Sequence, residues 1–262
     1  MSNVAFDIID NKNENNAVIY DFVSRKPVNG NIVKDDGVYD NRAGKKCEVY
    51  AFRTDEEIKA MIDVYNKHIE EADTNGKRKI CCRNKMLFVI GINIGVRASD
   101  LRLLTWDFFF EKNVDGSLQF RKSYNLRPKK TQKTGKYVNL YFNDAVKKII
   151  SWYIEQYPIE NTNDYVFKSR IGDGPITVNA MWRVIKDAAK EAGIKQNIGS
   201  HSMRKAWSRR LYDNAKDKSQ AVVLLQTILN HSSANVTLKY IGILNDEIEE
   251  AFDGMNLGFD FI

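Results

Sequence analysis

A chain of 262 residues allows one large domain, or one domain of about 150–200 residues with an appendage. Hydrophobic residues make up 43% of the chain and charged residues 28%, which is the balance of a globular protein with a sizeable core. Forty Lys and Arg against thirty-four Asp and Glu give a formal net charge of +6, which fits a nucleic-acid partner without requiring one. No apolar run reaches the length of about 18 residues that predicts a membrane span, and the polar N-terminus does not resemble a secretory signal.

Cysteine and histidine usage indicates the compartment and the cofactor requirement. The three cysteines, Cys47, Cys81 and Cys82, have the spacing of neither a disulfide framework nor a CxxC metal site. Three histidines are present, and no carboxylate–histidine cluster predicts a metal site. We therefore expect reduced thiols in a cytoplasmic setting and no cofactor.

The first 48 residues differ in composition from those that follow. They are rich in Asn, Asp, Lys and Gly and carry one strand-like apolar run over residues 17–23. This pattern predicts an extended N-terminal arm or small appendage over residues 1–48, or else a plain tail. From Thr54, an acidic first turn followed by apolar residues at helical spacing predicts the first helix of the main domain. A loop is predicted over residues 71–77.

A glycine ends the next apolar segment. Residues 85–94 are apolar nearly all round, as in a buried helix, and stop at Gly95. A further helix is predicted from Val96, with Ser99 or Asp100 capping or bracing its start. Arg97 then lies at the junction between two helices, next to the apolar segment, where it is either a solvated surface residue or an anion ligand.

Residues 117–142 have β character around a basic turn. Residues 117–120 and 136–142 predict two short strands, and the second alternates as a half-buried strand does. The lysine-rich turn of residues 127–135 lies between them. Its tip either reaches a DNA groove or phosphate, or is a solvated hairpin. Helices are predicted to follow over residues 143–156 and 178–192.

His201 and Arg204 lie near the start of another predicted helix. They are three residues apart and so share one face, close to the free backbone N–H groups that favour an anion. The alternatives are a capping histidine and a surface arginine.

The segment 231–240, HSSANVTLKY, predicts a polar turn that leads into a helix carrying Tyr240. A phenol is a poor nucleophile at its ordinary pKa of about 10. An attack on phosphate therefore needs an adjacent base and nearby cations, which His201, Arg204 and His231 would supply. Otherwise Tyr240 is a core or interface residue of an amphipathic helix.

Taken together, these segments resemble the catalytic domain of the tyrosine recombinases, the phage integrase family. The resemblance rests on five elements in the family's order, and it covers roughly residues 50–245. These elements are residues 95–106 (the first arginine box), 132–136 (the β-hairpin lysine), 201–204 (His-x-x-Arg), 229–233 (the box usually read Leu-Gly-His-Ser) and Tyr240 at its usual distance from that box.

The resemblance implies an α+β, mainly helical fold with a small β-sheet or hairpin, the DNA breaking–rejoining enzyme fold. It assigns residues 49–245 to the catalytic domain and residues 246–262 to a C-terminal helix and tail that dock on a neighbouring subunit. The implied chemistry gives a 3′-phosphotyrosyl intermediate and a free 5′-hydroxyl without metal or ATP. The implied roles are nucleophile for Tyr240, phosphate clamp for Arg97 and Arg204, proton acceptor for His201, hydrogen-bond donor for His231 and general acid for Lys133.

The lysine assignment is the least specific part of this set. Lys130 and Lys136 compete with Lys133, which is preferred because its Lys-Thr-Gly context and the following strand match the family pattern. Lys129, Lys130, Lys136 and Lys205 are the predicted DNA-binding residues.

Two departures from the family pattern matter. Asn230 replaces the usual glycine before the second histidine. In addition, 48 polar residues stand where the family carries a helical core-binding domain, which predicts a weaker and more salt-sensitive grip on DNA.

Three functions follow as hypotheses. The first is a site-specific recombinase or integrase that binds a double-stranded recombination site as a homo-oligomer, a tetramer on DNA, with C-terminal tail exchange. The second is a type IB topoisomerase-like enzyme that relaxes supercoils as a monomer. The third is a DNA-binding module without effective strand exchange.

Overall fold

The protein is described by a computed structural model that covers residues 49–128 and 137–253. Some of the predicted features therefore lie outside the described residues. These are the N-terminal arm with Cys47, the aromatic tail after Asp253, and the candidate residues Lys129, Lys130, Lys133 and Lys136.

Within the described residues the chain is mainly helical, with two small antiparallel sheets, which confirms the predicted α+β class. The helices are α1 (Asp55–Glu70), α2 (Asn75–Ile94), α3 (Ala98–Leu101), α4 (Asp144–Gln156), α5 (Val178–Glu191), α6 (Ser200–Asn214), α7 (Lys218–Leu229), α8 (Ala234–Ile241) and α9 (Ile243–Asp253). The strands are β1 (Phe110–Lys112), β2 (Leu118–Phe120), β3 (Ser123–Leu126) and β4 (Val138–Tyr141). No described helix is long and apolar enough to cross a membrane.

Side-chain caps fix most helix starts where the sequence predicts them. The side chains of Thr54, Asn143 and Ser233 each accept a hydrogen bond from the backbone N–H three residues later, which satisfies a donor that the helix leaves open. Thr74 does the same for α2, accepting from the N–H of Lys77 at 3.3 Å. The predicted loop over residues 71–77 is therefore wrong in its second half, because α2 begins at Asn75.

The helix after Gly95 is shorter than predicted. Arg97 is its N-cap residue, and the helix spans only Ala98–Leu101 without a side-chain cap. Ser99 and Asp100 lie inside it, so of the two predicted roles, capping and bracing, capping is wrong. Arg97 does lie at the predicted junction between two helices.

The strand pairing also differs from the prediction. Strand β2 pairs with β1, and the strand after the basic turn, β4, pairs with β3, which was not predicted. In the second hairpin Leu126 is opposite Val138 and Ser123 is opposite Tyr141. The predicted alternation along β4 is confirmed, because Leu140 is buried while its neighbours are more exposed.

The main hydrophobic core surrounds α2, which packs against α1, α4 and α6. Its fully buried side chains include Met86, Leu87, Phe88 and Ile90 from α2 itself. A second, smaller cluster joins α7, α8 and the start of α9 through Leu225, Leu229, Ile241 and Ile243. Tyr240 packs against this second cluster, together with Trp207 and Leu211 of α6. The candidate site therefore lies where α6 meets both clusters.

Candidate active site

Gly95 and Arg97 form the turn between α2 and α3. Gly95 ends α2 in the left-handed region at φ +63°, and a Cβ there would lie 2.3 Å from the ring of Trp207, so only glycine fits. The turn places Arg97 beside the end of α7, where its Nη2 donates to the carbonyl oxygen of Leu229 at 3.2 Å. Arg97 is half-buried, and a guanidinium at a helix C-terminus is stabilised by the helix dipole.

Arg204 is the buried cation of the site. It lies on α6 with only 7% of its surface exposed, and its Nη1 donates to the carbonyl oxygen of Gly95. Burial lowers the pKa of the Arg204 guanidinium, whereas the nearby Tyr240 and Asp100 oppose that shift. The group still carries its charge at neutral pH because an arginine pKa lies far above 7. The sequence thus folds a permanent charge into a poorly solvated position, where its interaction with an anion is strong.

His201 occupies the first turn of α6, ahead of Arg204. Two hydrogen bonds between Gly199 and Ser202 fix this turn. The N–H of Ser202 donates to the carbonyl of Gly199 at 2.9 Å, and the N–H of Gly199 donates to the hydroxyl of Ser202 at 3.0 Å. His201 is exposed to solvent, unlike Arg204. The two predicted residues are therefore on one helix end, with the histidine at the surface and the arginine inside.

The turn between α7 and α8 positions His231. Asn230 ends α7 at φ +56° and ψ +51°, a conformation that suits glycine and that asparagine tolerates better than other side chains do. The departure from the family's glycine therefore leaves the turn intact. The N–H of His231 donates to the carbonyl of Gln226 at 3.0 Å, and its Nδ1 lies 3.1 Å from the hydroxyl oxygen of Thr237.

The Thr237 contact orients the imidazole. The Thr237 hydroxyl donates to the carbonyl of Ser233 at 3.3 Å, which leaves its oxygen to accept a hydrogen bond from an Nδ1–H of His231. Burial lowers the pKa of His231, and the charges of Arg204 and Arg97 lower it further. A neutral His231 in this arrangement carries its proton on Nδ1 and a lone pair on Nε2.

Tyr240 lies on α8 among these groups. Its ring meets that of His231 edge to face, with centroids 5.2 Å apart, and the Nζ of Lys205 lies 5.4 Å from the Tyr240 centroid. Burial raises the pKa of the Tyr240 phenol, while the charge of Arg204, a hydrogen bond from Arg204 and the charge of Arg97 all oppose this. The phenol is consequently protonated at neutral pH, but its hydroxyl is held beside the cation that would stabilise its anion.

A groove opens from this cluster towards the second hairpin. Arg97 and His231 line it together with Pro128, Tyr137 and Val138, which lie at the turn end of that hairpin. Pro128 and Tyr137 flank residues 129–136, which contain Lys133. The structure thus brings together Arg97, Arg204, His231 and Tyr240, with Lys205 adjacent.

Two contributors to this site were not predicted from the sequence. Thr237 orients His231, and Asp100, which is 5% exposed, lies close enough to Arg204 to oppose the lowering of its pKa. Thr237 lies between His231 and Tyr240 on the predicted helix, so its spacing was a usable signal. Within residues 49–128 and 137–253, no group of three or more His, Cys, Asp or Glu side chains is placed to hold a metal ion.

A tyrosine hydroxyl beside a buried arginine, with a second arginine and a histidine on an adjoining groove, is an arrangement that can bind an anion next to a nucleophile. A sequence profile described as "Phage integrase family" matches residues 52–246. The chain belongs to this family, the tyrosine recombinases, which are DNA strand transferases acting in DNA recombination and integration.

Curated relatives agree with this placement. The chain is 32% identical over 170 residues to the probable integrase/recombinase YoeC of Bacillus subtilis, a match covering 65% of this chain and 83% of YoeC. It is 27% identical over 250 residues to the tyrosine recombinase XerH of Campylobacter jejuni, covering 94% of this chain and 61% of XerH.

Solved structures show the same fold. XerH bound to a palindromic difH substrate, a post-cleavage complex, superposes with a TM-score of 0.54 at 20% identity, covering 80% of this chain and 53% of that one. XerA recombinase superposes with a TM-score of 0.53 at 19% identity, covering 82% of this chain and 65% of that one. The chain thus spans between about half and two-thirds of the solved chains it resembles, and the predicted recombinase fold is confirmed.

Proposed function

We propose that this chain is a site-specific DNA recombinase or integrase in which Tyr240 attacks a DNA phosphodiester. One observation carries the proposal: the hydroxyl of Tyr240 is hydrogen-bonded to the buried Arg204, with Arg97 and His231 beside it. A tyrosine that only filled a core would have no need of two cations near its hydroxyl. Residues 49–245 would form the catalytic domain.

The proposed step is a phosphoryl transfer that conserves the bond energy. The Tyr240 oxygen bonds to phosphorus as the bond from phosphorus to the 5′ oxygen breaks. The phenolic proton passes to His201, and the departing 5′ oxygen takes a proton from Lys133. The products are a 3′-phosphotyrosyl link and a free 5′-hydroxyl. A 5′-hydroxyl from a second duplex reverses the step, so strand exchange needs neither ATP nor a metal ion.

The two arginines stabilise the transition state in this scheme. Their planar forks donate to the non-bridging oxygens, where negative charge grows as the trigonal bipyramid forms. Arg204 is already oriented by the Gly95 carbonyl, and Arg97 by the Leu229 carbonyl, so little reorganisation is needed when the phosphate arrives. These side-chain cations take the part that Mg²⁺ takes in other phosphoryl transfers.

His231 donates to the phosphate only when Nε2 carries a proton. In the DNA-free protein its lowered pKa and the Thr237 contact favour the neutral form with the proton on Nδ1. A phosphate bound between Arg97 and Arg204 brings negative charge that favours the doubly protonated ring. DNA binding would therefore switch His231 into its donor form.

The proposed partner is a double-stranded recombination site, bound by a homo-oligomer that is a tetramer on DNA. Lys129, Lys130, Lys136 and Lys205 are the proposed DNA-binding residues. The exchange of the C-terminal segment, residues 246–262, is supported by Ile248 and Phe252 of α9, which are 57% and 76% exposed, while Asp246 at its start stays bound to its own subunit. Apolar side chains this exposed on one helix favour a covering partner.

The test is covalent trapping on nicked duplexes, comparing the wild type with Tyr240→Phe. A pool of nicked fragments from the source genome serves as substrate, and the captured fragments are sequenced after denaturation to identify the site. We expect an adduct that survives denaturant with the wild type and none with Tyr240→Phe. Adducts that form without enrichment of any sequence, together with relaxation of supercoiled DNA by the protein, would indicate a topoisomerase instead. The absence of any adduct at low salt would contradict the proposal.

A further inference from the structure

The carboxylate of Asp246 lies in the first turn of α9, just after the helix that carries Tyr240. Two arginines bind it from different parts of the chain. Arg209 donates from Nη1 to Asp246 Oδ2 at 2.6 Å, and Arg53 donates from Nη2 to Asp246 Oδ1 at 2.9 Å. The Asp246 side chain is 22% exposed and that of Arg209 is 20% exposed, so this is not a fully solvated surface pair. Pairs that share one carboxylate and are partly shielded are stronger than isolated surface pairs.

Arg209 is held by a second carboxylate, and Arg53, whose side chain is 45% exposed, is placed by its buried neighbour in the chain. Arg209 lies on α6, the helix of Arg204, and its Nε also donates to both oxygens of Asp213 at 2.9 and 3.0 Å. Arg53 follows Phe52, which is 2% exposed and packs edge to face on Phe88 in the main core at 5.3 Å. The carboxylate of Asp246 is therefore tied to the main core from two directions.

The link between α8 and α9 is short and tightly surrounded. Gly242 ends α8 at φ +84°, and α9 begins at the next residue. A Cβ on Gly242 would lie 3.5 Å from Nη2 of Arg53, so the guanidinium lies directly against this link. The position of Asp246 therefore constrains the end of α8, where Tyr240 is the penultimate residue.

Helix α8 is short, and it is held by contacts at its start and by the buried Ile241 at its end. It is eight residues long, and its first turn is held by the Ser233 cap and by the contact of Thr237 with His231. Its buried residues are Thr237 and Ile241. Helices this short depend on tertiary contacts for their stability. A tie beyond the C-terminal end of α8 therefore matters for where Tyr240 lies.

We propose that Asp246 is a positioning residue for Tyr240, and that its carboxylate, bound by Arg53 and Arg209, fixes the distance of the tyrosine hydroxyl from Arg204. Helix α6 then holds the tyrosine segment at two points, through Arg204 at Tyr240 and through Arg209 at Asp246. This inference rests on the proposed function, because it assigns Asp246 a part in the same reaction. Burial alone would raise the pKa of Asp246, but the bonds and charges of Arg209 and Arg53 outweigh it and lower the pKa, so the carboxylate is ionised at neutral pH.

The test variant is Asp246→Asn, which removes the negative charge of the side chain and keeps its size and shape. Glu247→Gln is the matched control, because Glu247 is the next residue of α9, is exposed, and loses the same charge. Both variants are compared for the single-turnover rate of adduct formation at saturating DNA and for the dissociation constant of the same DNA. We expect Asp246→Asn to form adduct between about 10-fold and about 100-fold more slowly, since a misplacement near 1 Å costs this much. The dissociation constant should change by less than about twofold, and Glu247→Gln should match the wild type in both.

A double-mutant cycle with Arg209→Gln separates a shared contact from two independent losses. If Asp246 and Arg209 act through one interaction, either single substitution already removes it. The double variant then forms adduct no more slowly than the slower single variant. An adduct rate for Asp246→Asn equal to that of Glu247→Gln would overturn the proposal. So would a rate loss that only follows an equal loss of DNA binding or of global stability.

Hydrogen exchange in the DNA-free proteins keeps this test separate from the proposed function. Amides of residues 234–241 should exchange faster in Asp246→Asn than in Glu247→Gln, while amides of α2 stay the same. If the wild type forms no adduct, the recombinase proposal fails, and this comparison decides whether Asp246 holds α8. Equal exchange of α8 in the two variants would overturn the positioning role.

Discussion

The buried cation and the nucleophile of the candidate site are attached to different hydrophobic clusters. Arg204 bonds the carbonyl of Gly95 at the end of α2, the central helix of the large core, and Arg97 reaches Leu229 of the small cluster. Tyr240 lies on α8, whose neighbours form the small cluster of Leu225, Leu229, Ile241 and Ile243. Regions with few buried apolar contacts open at a lower free energy than the rest of a domain. Arg204 is therefore preorganised, whereas the tyrosine is carried by the more easily displaced part.

The largest effect should come from the clamp. Arg204→Gln removes the buried charge that bonds both Gly95 and Tyr240, and we expect the single-turnover rate of adduct formation to fall by about 10²- to 10³-fold. Arg210→Gln is the control on the same helix, because its partner Asp55 lies at the surface and is 79% exposed. The control should keep the wild-type rate and change stability by less than about 1 kcal/mol. Equal rates for the two variants would show that the clamp is not where the structure places it.

The junction of the two regions can be broken at Gly95. Gly95→Ala forces an alanine to φ +63° and drives its Cβ into Trp207, so we expect a loss of about 2–4 kcal/mol in the free energy of unfolding. Gly193→Ala is matched to it, since Gly193 has φ +75° but open space around it. Its cost should be only the backbone part, about 1–2 kcal/mol. Urea unfolding of both variants measures the difference, and equal losses would mean that the Trp207 contact contributes nothing.

The tyrosine side should respond to pH through His231. Its pKa is lowered by folding, so below a pH of about 6.5 the unfolded chain binds more protons at this residue than the folded protein does. The stability that comes from a neutral His231 is present above that pH, and it is lost as the pH falls through the lowered pKa of His231 in the folded protein. We therefore expect wild-type stability to fall more steeply than that of His231→Gln between pH 7 and pH 5.

Urea unfolding at the two pH values measures this difference, because contributions from the carboxylates are common to both proteins and cancel. His68→Gln is the comparison outside the site: His68 is half-buried on α1 with its Nε2 2.7 Å from the Glu191 carboxylate, so its loss should not reproduce the pH effect of His231→Gln. Parallel pH profiles for the wild type and His231→Gln would contradict the electrostatic coupling between His231 and the two arginines.

The smallest effect concerns Asn230. Asn230→Gly relieves the backbone strain at φ +56° but adds freedom to the unfolded chain, so the stability should change by less than about 0.5 kcal/mol. Asn230→Ala should cost about 1 kcal/mol or more, because alanine tolerates this region less well than asparagine. Thermal unfolding of the two variants distinguishes them, and a stabilising alanine would show that this turn is not the one described.

Much of this arrangement was predictable because it is local. The caps at Thr54 and Asn143, the stop at Gly95 and the start of the tyrosine helix follow from side-chain chemistry within a few residues. The four site residues that the structure brings together, Arg97, Arg204, His231 and Tyr240, were found from short boxes whose order matches the family. Their roles in the reaction stay predictions, as does the general acid Lys133.

The remainder depends on contacts between distant parts of the chain. Strand pairing failed because strands of three or four residues carry too little pattern to fix a partner, and β2 pairs with β1 instead. The start of α2 failed because the Thr74 cap outweighs the helix-weakening Gly76. The bond of Arg53 to Asp246 spans 193 residues, so no window of sequence reveals it.

The most direct measurement maps the protein residue that carries the DNA in the trapped adduct. Protease digestion of the denatured wild-type adduct, followed by nuclease trimming and mass spectrometry, identifies the modified peptide. The account predicts a single nucleotide-bearing peptide, modified at Tyr240 through a 3′-phosphate. A nucleotide on any other residue, or a link through a 5′-phosphate, would contradict it.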